Sequence, residues 1–290
     1  MDFYSPLRYP GGKGKLADFV KTIFRDNLLC DGYYVEPYAG GASIALSLLF
    51  TEYASRVVIN DIDRSIYAFW YSVINKTDEL CRLVDRAKLD INEWRRQRSI
   101  QQAKEKAALL DLGFSTLYLN RTNYSGVIKG GVIGGLNQSG KWKIDARFNK
   151  GDLVERVKRI ATYKSRIELH NLDACELLSS VAKKLPMKTL FYLDPPYYVK
   201  GRALYVNHYQ AHDHAKVARS IKKFKRPRWI VSYDYTPEIV SLYEGLPRLE
   251  YSINYSAARA TKGKEVMFFS ENMVVPNIVS PIASSSRNTH

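Results

Sequence analysis

Asp194-Pro195-Pro196-Tyr197 follows directly on the apolar run Thr189-Leu190-Phe191-Tyr192-Leu193. A strand that ends in an acid, two prolines and an aromatic ring brings a carboxylate, rigid carbonyls and a π-face to one point of a sheet edge. The two prolines lack N–H groups and fix φ, so the turn presents mainly acceptors in a stiff geometry. A planar base with an exocyclic amino group would find two acceptors there, the Asp194 carboxylate and the Pro195 carbonyl, with Tyr197 stacked on its ring. The plainer reading is a Pro-rich turn behind a buried strand, with Asp194 as a cap. On the tetrapeptide alone the two readings weigh equally, and the remaining motifs decide between them.

A second set of groups reads as half of a nucleotide site. The run Tyr33-Tyr34-Val35-Glu36 leads into Pro37-Tyr38-Ala39-Gly40-Gly41-Ala42-Ser43 and a helical pattern. Glycines at the carboxyl end of a first parallel strand let a ligand approach the backbone. The pattern is not G-x-G-x-x-G and no P-loop lysine follows, so a nucleotide cofactor without a pyrophosphate is preferred. Val58-Ile59-Asn60-Asp61-Ile62-Asp63 places Asp61 where it can accept from both ribose hydroxyls, while Asp63 is the better cap for the next helix. Asp173, after Ile167-Glu168-Leu169-His170, either accepts from an adenine amino group or caps a helix. Upstream, Arg8-Tyr9-Pro10-Gly11-Gly12-Lys13-Gly14-Lys15 reads as a basic phosphate loop, or as a lid whose Tyr9 ring covers a small cofactor while Lys13 meets a carboxylate.

These groups need a sheet to present them. Seven short apolar or alternating runs, near 33–37, 56–61, 166–170, 188–194, 228–233, 248–255 and 264–270, read as strands. Helical patterns over 13–27, 42–53, 64–75, 174–184 and 211–224 separate most of them and predict an α/β fold. The last two runs are joined by 256–263 alone, which predicts an antiparallel hairpin and a seven-stranded, mostly parallel sheet with one reversed strand. The long segment between the second and third strands breaks the alternation. It holds a charged helical stretch over 77–111, then Gly126-Val127-Ile128-Lys129-Gly130-Gly131-Val132-Ile133-Gly134-Gly135 and Asn137-Gln138-Ser139-Gly140-Lys141-Trp142-Lys143. The glycine-rich part reads as a hairpin projecting from a helical base, or as a loose surface loop. An insertion of that size predicts a small domain of its own. The division is then 1–76 with 151–275 as one unit, 77–150 as the insertion and 276–290 as an unstructured tail.

Composition narrows the partners. The chain of 290 residues, 46% hydrophobic and 25% charged, reads as soluble and globular, with length for one large or two modest domains. The 44 Lys+Arg against 29 Asp+Glu give a formal charge of +15, which favours a polyanion. The 21 tyrosines suit stacking on unpaired bases, although most belong to a core. Cys30, Cys81 and Cys175 have neither close pairing nor metal-ligand spacing and read as reduced thiols of a cytoplasmic protein. No apolar run is long enough to span a membrane, and Met1-Asp2-Phe3-Tyr4-Ser5-Pro6 lacks a signal-peptide pattern. No metal is expected. Without a dimerisation pattern a monomer is the default, with at most weak dimerisation on the polyanion.

Taken in order, the motifs resemble the Dam-like, D12-class (alpha group) adenine-N6 DNA methyltransferases. The resemblance runs from about residue 5 to 270, carried by Tyr9-Pro10-Gly11-Gly12-Lys13, Glu36-Pro37-Tyr38-Ala39-Gly40-Gly41, Asn60-Asp61-Ile62-Asp63, Leu119-Asn120-Arg121-Thr122-Asn123-Tyr124-Ser125-Gly126 and Asp194-Pro195-Pro196-Tyr197. It implies a class I S-adenosylmethionine-dependent methyltransferase fold (Rossmann-like) with an inserted helical and β-hairpin DNA-recognition domain. The methyl donor would be S-adenosylmethionine, with S-adenosylhomocysteine as product, and the partner double-stranded DNA in a bacterial or phage setting, with or without a restriction partner. Tyr9 and Lys13 would contact the cofactor, Glu36 to Gly41 would surround its methionine portion, Asp61 and Ile62 would hold its ribose, and Asp173 and Asp194 would complete the site. Asp194, Pro195, Pro196 and Tyr197 would grip the flipped adenine. Arg121, Asn123, Tyr124, Ser125, Lys129, Lys141 and Lys143 would meet DNA, with Tyr124 wedging into the base stack.

The sequence departs from the family pattern in that hairpin. Ser125 stands where asparagine is usual, and Lys129 stands where the enzymes that read GATC carry a base-contacting arginine. Lysine lacks the planar fork, so GATC is one candidate target rather than an inherited one. Three enzymes and a binder are the rivals. A cytosine-N4 methyltransferase would more often open the tetrapeptide with serine and a glutamine methyltransferase with asparagine, while an RNA adenine methyltransferase shares charge and pocket. A silent DNA-binding module would be expected to have lost Lys13, Asp61 or Asp194.

Overall fold

A computed structural model describes residues 4–8, 13–198, 209–225, 227–255, 261–278 and 280–282. The strands are β1 (Gly32–Glu36), β2 (Ala54–Asn60), β3 (Ile167–His170), β4 (Thr189–Leu193), β5 (Arg228–Asp234), β6 (Arg248–Tyr255) and β7 (Thr261–Phe269). They form one seven-stranded sheet in the order β3-β2-β1-β4-β5-β7-β6. The pairs from β3 to β5 are parallel, and β7 runs antiparallel to both β5 and β6. This is the expected mostly parallel sheet with one reversed strand.

The strands read as nearly continuous apolar runs because the sheet is covered on both faces. Alternate residues go to opposite sides: Tyr34, Val57, Leu190, Tyr192, Ile230, Met267 and Phe269 join one core cluster, and Val35, Val58, Phe191, Leu193, Val231, Val266 and Phe268 the other. The first face is covered by α1 (Ala17–Asp26), α2 (Ser43–Phe50) and α3 (Arg64–Asn75), the second by α8 (Ala174–Ser180), α9 (Ala211–Lys222) and α10 (Pro237–Leu242). The chain runs outward from β1 through β2 to β3, then returns to lay β4 against the other side of β1. That reversal opens a crevice at the carboxyl ends of β1 and β4, where sheets of this kind bind ligands.

The segment between β2 and β3 is helical. It contains α4 (Thr77–Arg86), α5 (Ile91–Gln102), α6 (Leu109–Thr122) and α7 (Lys150–Ala161). Its Leu80, Val84, Trp94, Phe114, Leu117, Tyr118 and Phe148 belong to the same buried cluster as Phe24 and Tyr34, so the insertion shares the core of the sheet rather than building its own. Close contact between α3 and α6 depends on Gly113, where a Cβ would lie 2.3 Å from Ser72 Oγ and 2.4 Å from the Ala68 carbonyl oxygen. The anticipated hairpin after α6 is not a ladder. Among the described residues it reduces to one antiparallel bridge, Asn123 to Val132, because glycines supply turns there in place of alternating strand residues.

Val275, Ile278 and Ile282 pack against the main core, so the start of the expected tail is laid on the domain, while 279 and 283–290 lie outside the described residues. Among the described residues no helix is long and apolar enough to cross a membrane.

Candidate active site

Four of the motifs found in the sequence converge at the carboxyl ends of β1, β2 and β4. Asp194, immediately after β4, accepts from the Ser232 hydroxyl at 2.7 Å and pairs with the Lys13 ammonium at 3.3 Å, both through Oδ1. No described residue donates to Oδ2, and the side chain keeps 23% of its surface open. Ser232 on β5 is itself within 3.0 Å of the Tyr192 hydroxyl. The turn beyond the tetrapeptide is fixed by Asp234, whose Oδ1 accepts the Tyr198 N–H at 2.8 Å. Burial raises the Asp194 carboxyl above its ordinary range, with Lys13 opposing that shift and Glu265 adding to it.

Glu265 on β7 is the residue that motif reading missed. It is fully buried and collects Lys13 Nζ at 2.8 Å, the Tyr197 hydroxyl at 2.8 Å and the Tyr251 hydroxyl at 2.5 Å. The available signal was a lone acid opening the buried run Val266-Met267-Phe268-Phe269, since a carboxylate is kept in such a place only when several donors meet it. Burial alone would lower the Lys13 ammonium, but Asp194, Tyr251, Tyr197 and Glu265 hold it well above the usual lysine range. Lys13 also sits 5.5 Å from the Tyr197 ring centroid. The lysine expected to meet a cofactor carboxylate is thus already tied to two carboxylates of the chain, more loosely to Asp194 than to Glu265.

On the cofactor side, Glu36 ends β1 and is buried, accepting from the Tyr34 hydroxyl and the Ala45 N–H, each at 3.1 Å. Burial outweighs those two bonds and pushes its carboxyl up to about 8. Asp61 follows β2 and accepts the Gly40 N–H at 3.0 Å and the Asp63 N–H at 2.9 Å. Burial again leads, with the Asp63 carboxylate in support and Lys104 opposing, and raises Asp61 to about 7. The loop between β1 and α2 turns through left-handed backbone at Gly40 and Ala42, both at φ +46. Trp70 Nε1 holds it from behind, donating to the Gly40 carbonyl at 2.9 Å.

Pro37, Gly40 and Gly41 are buried in this turn, Tyr38 is half-buried with its hydroxyl 3.0 Å from that of Tyr209, and Ile62 is exposed. Asp63 caps α3 as expected. Asp173 takes the capping role of its two alternatives, accepting the Cys175 N–H at 3.0 Å at the start of α8. Tyr9 lies outside the described residues.

The donor set fits S-adenosylmethionine. Asp61, with two backbone donors already in place, suits ribose hydroxyls, the carboxylates of Glu36 and Asp194 suit cationic groups, and the Lys13 ammonium suits a carboxylate.

The expected DNA-contacting residues divide into two groups. Tyr124, Lys129, Lys141 and Lys143 are exposed on the loop after α6, joined by Leu136 and by Trp142, which motif reading did not single out as a contact. The Tyr124 hydroxyl accepts the Gly134 N–H at 3.1 Å, which pins the loop while its ring stays 54% exposed. Ser125 adopts φ +55, a left-handed position that asparagine tolerates better than serine.

Asn123 is corrected. It is wholly buried, accepting from Trp94 Nε1 at 2.7 Å and donating to the Val127 and Ile128 carbonyls at 2.9 Å, so in this structure it shapes the loop instead of standing on its surface. Arg121 is largely buried too, and its Nε donates to the Pro6 carbonyl at 2.6 Å.

Residues 9–260 match the family of D12 class N6 adenine-specific DNA methyltransferases. No curated protein sequence matches the chain. Among solved structures, the SAM-dependent methyltransferase from Agrobacterium tumefaciens aligns over 89% of this chain and 62% of its own, at 8% identity and a TM-score of 0.41. The rRNA methyltransferase aviRa from Streptomyces viridochromogenes aligns over 87% and 84%, at 13% identity and a TM-score of 0.37.

Proposed function

Because the chain belongs to the D12 class N6 adenine-specific DNA methyltransferase family, we propose that it methylates N6 of an adenine flipped out of duplex DNA at a short recognition sequence. The observation that carries this reading is the Asp194 carboxylate. Two donors of the chain hold Oδ1 in place, and Oδ2 is left to accept from a ligand amino group. S-adenosylmethionine, when bound, supplies an electrophilic methyl group on a sulfonium.

The residues of the chain supply position. Asp194 and the Pro195 carbonyl accept the two N6 hydrogens and turn the nitrogen lone pair out of the ring plane toward the methyl group. Tyr197, held by Glu265, backs the base. The amino nitrogen becomes acidic only after it has gained the methyl group, so Asp194 need not be a strong base, and most of the catalysis is alignment and fixed electrostatics. Lys13, bonded to Glu265 and Asp194, has a third N–H that would donate to the cofactor's carboxylate. Asp61 accepts from the ribose hydroxyls. Extrusion of the base costs on the order of a few kcal/mol, offset by stacking and by filling of the vacated space from the loop that carries Tyr124.

The test is sequencing of genomic DNA from a methylation-deficient host that expresses the chain, beside a strain with Asp194→Ala. N6-methyladenine at one recurrent motif in the parent alone is the expected result and gives the target at the same time. The variant should lose at least about 10²-fold in turnover while keeping most of its DNA affinity, which resides in phosphate contacts. A parent that binds S-adenosylmethionine yet leaves no methyladenine would sink the reading.

A further inference from the structure

Residues 5–8 lie against the last turn of α6 and the middle of α7 as a strap whose backbone is held by side chains. Asn120 accepts the Arg8 N–H and donates to the Arg8 carbonyl, each at 2.7 Å, Arg121 Nε donates to Pro6, and Arg156 Nη1 donates to Ser5 at 3.1 Å. One of the two clamping guanidiniums, that of Arg121, lies in the field of the other and of a third, that of Arg8. A fourth, Arg147, is exposed on the turn fixed by buried Ile144 and Phe148, and it acts electrostatically on both Arg8 and Arg121. The carboxylate set against them is Asp152, bound to Arg156 at 2.9 Å. Burial, then Arg156 and Arg8, lowers Arg121 to about 10. Among the described residues Arg8 Nη1 is buried and meets no hydrogen-bond partner, although the residue as a whole is only partly buried.

A buried cationic donor without an acceptor destabilises the fold, and a surplus of guanidiniums adds repulsion. Both costs disappear when an anion with several acceptor oxygens binds, and guanidinium forks match phosphate in geometry. We propose that Arg8, Arg121 and Arg147 form a binding site for one backbone phosphodiester of the DNA, with Arg8 Nη1 as its inner donor. This rests on the function proposed above.

The location suits a register contact. Gly126, at the base of the loop that carries Tyr124 and Lys129, lies so close to the strap that a Cβ there would be 2.3 Å from the Arg8 carbonyl oxygen. Five residues beyond Arg8 stands Lys13, bonded to Asp194. A phosphate fixed at this point sets the strand relative to both the reading loop and the pocket.

The test is binding of a non-cognate duplex across a salt series by parent, Arg8→Met and Arg147→Ala. Each variant should bind roughly tenfold more weakly at low salt, with the slope of log K against log salt reduced by about one. A duplex with single methylphosphonate linkages should weaken the parent at one linkage that costs Arg8→Met nothing further. Arg8→Met should melt at or above the parent's temperature, since it removes an unsatisfied donor, whereas a residue needed only for folding would melt lower. Parent binding with unchanged affinity and slope in both variants overturns the arginine site alone. A parent that does not bind duplex DNA overturns the proposed function as well.

Discussion

The strand-end cluster and the loop after α6 are both rich in polar residues, yet they use them in opposite ways. In the cluster, Glu36, Asp61, Asp194 and Glu265 each receive at least two named donors, and the tyrosines and lysine that surround them are mostly buried. The loop keeps its shape with amides, chiefly Gln138, which donates to the Ile133 and Gly135 carbonyls and accepts from the Ile144 N–H. It leaves Tyr124, Leu136, Trp142 and its lysines outside. A reaction needs groups fixed before the substrate arrives. Recognition needs groups that can still change partner, so on the proposed function the two tasks are separated in space.

If that contrast holds, its largest consequence is for stability. Glu265→Ala leaves the buried Lys13 ammonium with Asp194 alone and strands two buried hydroxyls, and should cost about 3–5 kcal/mol, as when one partner of a buried ion pair is removed. Gln138→Ala, in the loop, should cost about 1–3 kcal/mol. Denaturant melts of both variants, with Glu265→Gln as the version that keeps one acceptor oxygen for a tyrosine, make the comparison. Equal losses in the two regions would break it.

The next effect is on cofactor affinity and its pH dependence. Asp61 accepts from two backbone N–H groups and faces Asp63 and Lys104, with its folded pKa raised from 3.8 to about 7. A raised acid means that the folded state holds more protons than the unfolded one between about pH 4 and 7, so the ligand-free protein loses stability as pH rises through that window. Ribose hydroxyls favour the ionised form. S-adenosylmethionine should therefore bind more tightly as pH rises through 7, releasing a proton measurable by calorimetry in buffers of different ionisation enthalpy. Asp61→Asn should bind roughly 10–100-fold more weakly and lose the part of the pH slope centred near 7. Glu36, raised to about 8, would keep a shallower slope above it. An unchanged profile in Asp61→Asn would remove Asp61 from the ribose.

The same division explains what was legible in the sequence. Strands at 56–61 and 188–194 were found within two residues, because buried parallel strands are short apolar runs and their ends carry the acids and glycines. Asp61 and Asp194 were read correctly as strand-end groups. Glu265 was missed because its donors Lys13, Tyr197 and Tyr251 come from three distant segments that only the sheet order brings together. The loop was misread for a different reason. Its glycines supply turns in place of alternating strand residues, and side-chain bonds from Asn120, Asn123 and Gln138 to backbone carbonyls hold the shape that results. Asn123, placed at the DNA by family position, turned out to be one of those brackets. Side-chain to backbone bonds of this kind leave no periodic trace in a sequence.

The smallest and most specific prediction concerns Lys129, which is exposed on the loop and stands where the resemblance to enzymes that read GATC would place a base-contacting arginine. An ammonium is a point donor without a planar fork, so it can favour guanine but tolerates more error in angle than arginine does. Lys129→Ala should relax discrimination at one position of the site by roughly 1–3 kcal/mol while affinity for non-cognate duplex changes little. Lys129→Arg should sharpen the preference at that same position if the lysine reads a base edge. Competition methylation on a library randomised one position at a time measures both. Uniform weakening across all sequences would make Lys129 another phosphate contact, and base reading would then fall to the exposed rings of Tyr124 and Trp142 and the lysines beside Trp142. That outcome would narrow the contrast between the two regions, because the loop would then hold DNA mainly by charge and stacking rather than by direct donors to base edges.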